Sequence, residues 1–160
     1  MYHLHNRPER EIIDEKEINR LLKTGKFATL SLCRHNEPYI VTLSYGYDED
    51  AHSLYFHCAA EGLKMDFISV NPQVCATIIE DGGYISGECG HWYKTLVLWG
   101  QMEIVSDPEK KRQGMKILLN HLENDNEIIN KKLEAAISLG NKRMALLRLP
   151  IDKITAKAGR

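Results

Sequence analysis

EPYIVTLSYGYDEDAHSLYFHCAAEGLKMDFISVNP, residues 37–72, is the stretch on which the reading of this chain turns. Tyr39 to Tyr47 and Leu54 to Cys58 are rich in β-branched and aromatic residues, and DEDAHS between them is turn material. Two antiparallel strands joined by a turn are therefore expected. After Cys58 the period changes. Met65, Phe67, Ile68 and Val70 suit a short amphipathic helix, which Asn71-Pro72 stops.

Lys64 falls in the first turn of that helix, where the macrodipole disfavours a cation by roughly 0.3–1 kcal/mol. An anion bound at the same place reverses the argument, because first-turn N–H groups and the ammonium then converge on it. Gly62 lets such a ligand approach the backbone without a Cβ in the way. The competing reading is a solvent-facing lysine beside Glu61 or Asp66.

Outward from this hairpin, the N-terminal side opens a helix with Asp14 and Glu17 in capping-box spacing and Ile18, Leu21 and Leu22 as its apolar stripe. Gly25 is expected to close it. Phe27 to Arg34 alternates as a strand. On the C-terminal side Gln73 to Glu80 is a strand, and Asp81 to Gly90, with glycines at 82, 83, 87 and 90, reads as a loop. Trp92 to Val105 reads as one long strand bending at Gly100. Asp107-Pro108-Glu109 opens a helix with Met115, Leu118, Leu119 and Leu122 inward. A second helix spans Glu127 to Leu139, ended by Gly140, and Arg143 to Leu149 is a last strand with a tail through Ile154. Six strands joined mainly by tight turns favour a mainly β, α+β fold with antiparallel pairing, closed into a barrel with peripheral helices.

At 160 residues the chain is expected to be one domain, residues 1–160, with residues 1–9 a flexible tail. With 21 basic against 22 acidic residues the net charge is −1, which gives no general attraction to nucleic acid or anionic membrane. No apolar run has the length of a membrane span, and MYHLHNRPER lacks the form of a signal peptide, so a soluble, cytoplasmic protein is expected. Cys33, Cys58, Cys75 and Cys89 form no CxxC pair and read mainly as small buried hydrophobes. Cys89-Gly90-His91 lacks a partner motif, and His3 and His5 read as tail, so no metal site is expected.

PYIVTLSYGYD, LYFHCAAEGLK, NPQVCATI and WYKTLVLWGQMEIVSDPEKK, in that order, resemble the FMN-binding split barrels related to pyridoxamine 5′-phosphate oxidase. They are most similar to the nitroimidazole-resistance branch, and the likeness covers roughly Arg10 to Lys157. It implies a six-stranded antiparallel split barrel that is a homodimer, with FMN at the subunit interface. By that resemblance the strand Ile40, Val41, Thr42, Leu43, Ser44 runs beneath the flavin ring, and His57 and Cys58 lie against it. Glu61-Gly62-Leu63-Lys64 would hold the phosphate, with Lys64 as the principal ligand, and Thr95 would offer a hydroxyl. Val41 and Leu43 are expected to supply an apolar wall.

His57 is the candidate catalytic group, since imidazole titrates near neutral pH and can donate a proton to a reduced acceptor. Trp92, Tyr93 and Trp99 could stack on a ring or belong to the core. Gly62 and Leu63 stand where the oxidase has serine and arginine, and Lys94 is the candidate replacement cation. LPIDKITAKAGR shows no counterpart of the arginine and histidine that grip pyridoxal, so vitamin B6 oxidation is not expected. The leading expectation is a flavoprotein oxidoreductase passing electrons from NADH or NADPH to a nitroaromatic or quinone-like acceptor. No GxGxxG is present, so the nicotinamide would bind only transiently. The alternatives are a non-catalytic flavin or haem module with His57 as iron ligand, and an interaction domain that has lost its cofactor.

Overall fold

Two antiparallel sheets enclose one apolar interior, and at two of its four crossings the chain passes between them at a single residue. The computed structural model describes residues 7–138 and 143–159. In order these form α1 (Glu15–Thr24), β1 (Phe27–Arg34), β2 (Glu37–Ser44), β3 (Gly46–Asp48), β4 (Ser53–Ala59) and α2 (Leu63–Val70). There follow β5 (Gln73–Ile85), β6 (Gly90–Gln101), β7 (Glu103–Val105), α3 (Pro108–Leu122), α4 (Asn126–Ser138), β8 (Met144–Pro150) and β9 (Lys153–Gly159). One sheet has the order β2-β1-β5-β6-β9 and the other β3-β4-β8-β7. The result is an antiparallel split barrel with peripheral helices. Its nine strands replace the six expected.

The extra strands have physical causes. The segment expected as one strand from Tyr39 to Tyr47 breaks at Tyr45, where it leaves one sheet for the other. Tyr45 is fully buried and its hydroxyl donates to the Leu22 carbonyl at 2.7 Å. The long strand after Trp92 likewise divides at Met102, whose N–H donates to the Pro72 carbonyl at 2.8 Å. The stretch expected as a tail through Ile154 instead leads into β9, paired with β6 from Trp99↔Lys153 to Tyr93↔Gly159. Residues 81–90, expected as loop, mostly continue the β5–β6 hairpin, with a register shift between Asp81 and Gly83.

The N-terminal helix obeys its signals only in part. Asp14 caps α1, accepting from the Lys16 N–H at 3.0 Å, but Glu17 does not reach back to complete a capping box. Gly25 ends α1 at φ −63, so it is needed for room: a Cβ there would lie 2.4 Å from the Tyr45 hydroxyl. Pro8–Arg10, at the boundary of the tail expected over residues 1–9, forms a 3-10 turn, and beyond it the Ile12 N–H donates to the Ala156 carbonyl at 2.9 Å. His3, His5 and Gly140 lie outside the described residues.

Alternation on the strands builds the core. Ala28, Leu30 and Leu32 of β1, Ala76 and Ile78 of β5, and Leu96 and Leu98 of β6 meet Leu54, Phe56, Leu147 and Leu149 from the other sheet. A second cluster, including Met115, Leu118 and Leu119 of α3 and Leu133 of α4, packs on Tyr55 and Leu146 outside the four-stranded sheet. Fully burying such a side chain contributes about 1.5–3 kcal/mol, so the interior outweighs any single polar contact.

Candidate functional site

The region around α2 follows from β4. Alternation along that strand turns Leu54, Phe56 and Cys58 into the barrel, while Tyr55 and His57 face the other way. Beyond Ala59 the chain makes a short loop to Gly62, the N-cap of α2. Gly62 has φ +120 and nothing within 4 Å of where a Cβ would project. That backbone suits glycine and leaves its face open. Phe67 and Ile68 anchor the helix in the core, and the Asn71 amide closes it onto β1 by donating to the Cys33 carbonyl at 3.0 Å.

Lys64 is half-buried in the first turn of α2. Among the described residues its ammonium has no hydrogen bond and no ion pair. Its charge is felt by Cys58: burial pushes that thiol upward, and Lys64 opposes the shift. The Cys58 thiol donates to Met65 Sδ at 3.8 Å. A partly desolvated cation with open backbone beside it has the groups from which an anion cradle could be built.

His57 is separated from this cradle by strand alternation. Its ring reaches solvent, yet the protein packed around it and then the Lys132 charge hold its pKa below the usual value. The neutral imidazole is thus favoured near pH 7.

On β2, Ile40, Thr42 and Ser44 point out of the barrel and are exposed, whereas Val41 and Leu43 pack against the core. Val41 and Leu43 are therefore turned away from the outer surface, where an apolar wall would rest on Ile40, 65% exposed. Thr95 lies on the same outer surface of the sheet as Thr42, buried, with its Oγ1 3.0 Å from that of Thr77. One cross-strand row runs Thr42, Thr29, Thr77, Val97, Thr155 across all five strands. Thr42 and Thr29 share a hydrogen bond of 2.9 Å, and Thr155 Oγ1 is buried without a partner.

Lys94 does not join Lys64. Its ammonium is 2.7 Å from Glu17 Oε1, within a cluster that includes Arg20 and Glu80. A neighbour of the loop before α2 that sequence reasoning missed is the Arg143 backbone. The pairing Ala59↔Met144 sets Arg143 beside the loop before α2, where the Ala60 N–H donates to the Arg143 carbonyl at 3.3 Å. The two residues are more than 80 positions apart, and only the β4–β8 pairing joins them.

The aromatic candidates divide. Trp92 is 52% exposed on the β5–β6 hairpin. Tyr93 and Trp99 are half-buried under lysines of β9, with Lys157 Nζ 5.7 Å and Lys153 Nζ 4.7 Å from the respective ring centroids. His91 Nε2 is 2.6 Å from Asp81 Oδ1, and among the described residues no group of three or more His, Cys, Asp or Glu could hold a metal. Among the same residues no helix is long and apolar enough to cross a membrane.

No curated protein matches the sequence. Solved structures do, at low identity. A candidate 5-nitroimidazole antibiotic resistance protein from Bacteroides thetaiotaomicron is 21% identical with a TM-score of 0.76, over 93% of this chain and 86% of that one. A FAD and haem binding protein from Mycobacterium smegmatis is 19% identical with a TM-score of 0.70, over 94% and 74%. The haem storage protein of Vibrio cholerae is 18% identical with a TM-score of 0.65, over 89% and 94%. These likenesses establish the fold. The sequence model described as pyridoxamine 5′-phosphate oxidase matches residues 14–158, nearly the whole length, and the chain belongs to that family.

Proposed function

We propose that this protein is an FMN-binding oxidoreductase that takes electrons from a reduced nicotinamide and passes them to a small nitroaromatic or quinone-like acceptor. The observation that carries the reading is Lys64: a half-buried ammonium without a counter-anion among the described residues, beside the open backbone of Gly62. A phosphate monoester supplies the missing charge. Leu63 offers no charge and Lys94 is held by Glu17, so the phosphate depends chiefly on Lys64.

Bound flavin supplies hydride chemistry at its ring, and the surrounding residues orient it. Ile40 offers the apolar contact and the β2 backbone offers polar groups. The surface of the five-stranded sheet supports a homodimer with the cofactor between copies. Phe27, Ile40 and Ile79 are each more than half exposed there, beside the threonine row. Isolated apolar exposure is ordinary, but several exposed apolar residues on one sheet surface, with lysines only at its β9 edge, suit an interface.

The test is a fluorescence titration with FMN and, in parallel, riboflavin. Lys64→Ala is expected to remove about 1.5–3 kcal/mol of FMN binding, tenfold or more in affinity, and to leave riboflavin binding unchanged. Equal FMN affinity in both proteins removes the phosphate role from Lys64. NADH- or NADPH-driven bleaching of the bound flavin then separates an enzyme from a carrier.

A second reading, haem binding, is favoured by His57 alone, because its neutral imidazole is the form that ligates iron. A Soret band lost in His57→Ala supports it. A band retained in that variant excludes His57 as ligand.

A further inference from the structure

A second cavity lies at the opposite end of β4 from α2. The seven residues of β4 separate the two places by about 20 Å. This cavity, of about 420 Å³, opens between α1 and the β3–β4 turn. Its volume falls within the range of small-molecule pockets, roughly 300–1,000 Å³. Ile18 and Leu22 of α1 and Ile154 of β9 give it an apolar floor. Its polar lining is one-sided in charge: Glu15 and Glu49 face it, and no lysine or arginine does.

Three details define what would fit. Glu49 is partly answered from outside by Lys23 Nζ at 2.7 Å, whereas Glu15 has no ion pair among the described residues. Asn19 also gives its amide N–H to Glu49, so Glu49 is answered twice and Glu15 carries the open charge. Tyr47 and His52 form an edge-on aromatic wall, ring centroids 6.2 Å apart, with the hydroxyl 3.2 Å from Nδ1.

An anion would meet two carboxylates, and a purely apolar occupant would leave the Glu15 carboxylate without a counter-charge. A cation with an apolar body meets the charge and the floor together. Aromatic faces and edges of this kind also accommodate a ring. We propose that this cavity binds a small organic ammonium, its apolar body on Ile18, Leu22 and Ile154 and its charged head toward Glu15. The site is independent of the flavin assignment, because it shares no residue with the α2 cradle.

The experiment is a two-dimensional amide NMR titration of the full chain at low ionic strength with 2-phenylethylamine, with 2-phenylethanol and phenylacetate as neutral and anionic counterparts. Saturable shifts confined to the amides of α1, the β3–β4 turn and Ile154 are expected, with the amine binding at least about tenfold more tightly than either counterpart. Glu15→Gln, at an exposed helix position where folding is secure, should weaken the amine about fivefold and leave the alcohol unchanged. Shifts scattered over the acidic surface, equal affinity for the alcohol, or no saturation overturns the proposal.

Discussion

Glu17 Oε1 accepts both Lys94 Nζ, at 2.7 Å, and Arg20 Nη2, at 2.8 Å, and Arg20 continues to Glu80 at 2.7 and 2.9 Å. Four charges thereby tie α1 to β5 and β6 at one end of the barrel. Lys94 acts there as structure, so Lys94→Ala should leave FMN affinity within about twofold of wild type while lowering thermal stability by about 1 kcal/mol. Flavin fluorescence and a melting curve on the same preparation read both quantities.

The same cluster sets an acid limit. Hydrogen bonds from Arg20, then from Lys94, hold the Glu17 carboxyl at about 2, below its ordinary 4.5. Glu80 is lowered as well, chiefly by Arg20. A depressed folded-state value means stability that is present above about pH 4.5 and lost as the pH falls toward 2. Both carboxylates are partly open to solvent, so the Glu17 contribution is discounted to about 1 kcal/mol. Glu17→Gln should cost that much near neutral pH and flatten the loss of stability between about pH 5 and 3, as measured by urea unfolding.

His121 adds a second, milder dependence. Its Nε2 lies 2.5 Å from the Gly25 carbonyl and its ring 4.8 Å from that of Tyr45. Burial lowers its pKa from 6.5, against the Gly25 carbonyl and with the help of Lys26. The unfolded chain then binds the proton more readily, so stability is full above about 6.5 and declines as the pH drops through the folded value. His121→Gln should flatten the melting temperature between about pH 7.5 and 5.5. An unchanged slope would assign that dependence to His57, whose pKa is also lowered.

Much of this was legible in the sequence where the signal was local. The α2 helix, its glycine start and Lys64 lie within a few residues of one another, and their spacing suffices. Asp107 and Pro108 likewise mark the start of α3, where Asp107 accepts the Lys110 N–H at 2.9 Å. The misses are long-range. β9, KITAKAG, has alanines and a glycine that depress strand propensity, and it exists because β6 pairs with it. Gly83 and Gly87, at φ +93 and +82, serve the bulge and turn of a hairpin, although glycine clusters ordinarily signal a loop. Lys94 looked available because its partner lies 77 residues away. Strand alternation, applied to β2 with the core known, turns Val41 and Leu43 inward, and only the burial of their neighbours could have shown which face that was.

Gly46 marks where the helical layer presses on the barrel. A Cβ there would lie 2.3 Å from Leu118 Cα and 2.7 Å from its nitrogen, both backbone atoms of α3. Neither can step aside without moving the helix. Gly46→Ala should therefore destabilise the protein by about 3 kcal/mol, visible as a lower urea midpoint with little change in slope.

The proposed dimer can be tested at Ile40, which is exposed on edge strand β2 and contributes little to the core. Ile40→Glu places a charge on the outer sheet surface and should weaken self-association at least about tenfold, read by sedimentation equilibrium, while the monomer stays folded. A wild-type chain that sediments as a monomer at every concentration rules the dimer out.

Tyr45 and Met102, each a lone residue between strands of different sheets, leave no slack at two of the four places where the chain crosses between the walls. Prising one wall from the other strains the backbone at both places at once, so the halves must come apart together. Amide exchange should accordingly report β1 and β4, in separate walls, with matching protection and a shared opening event.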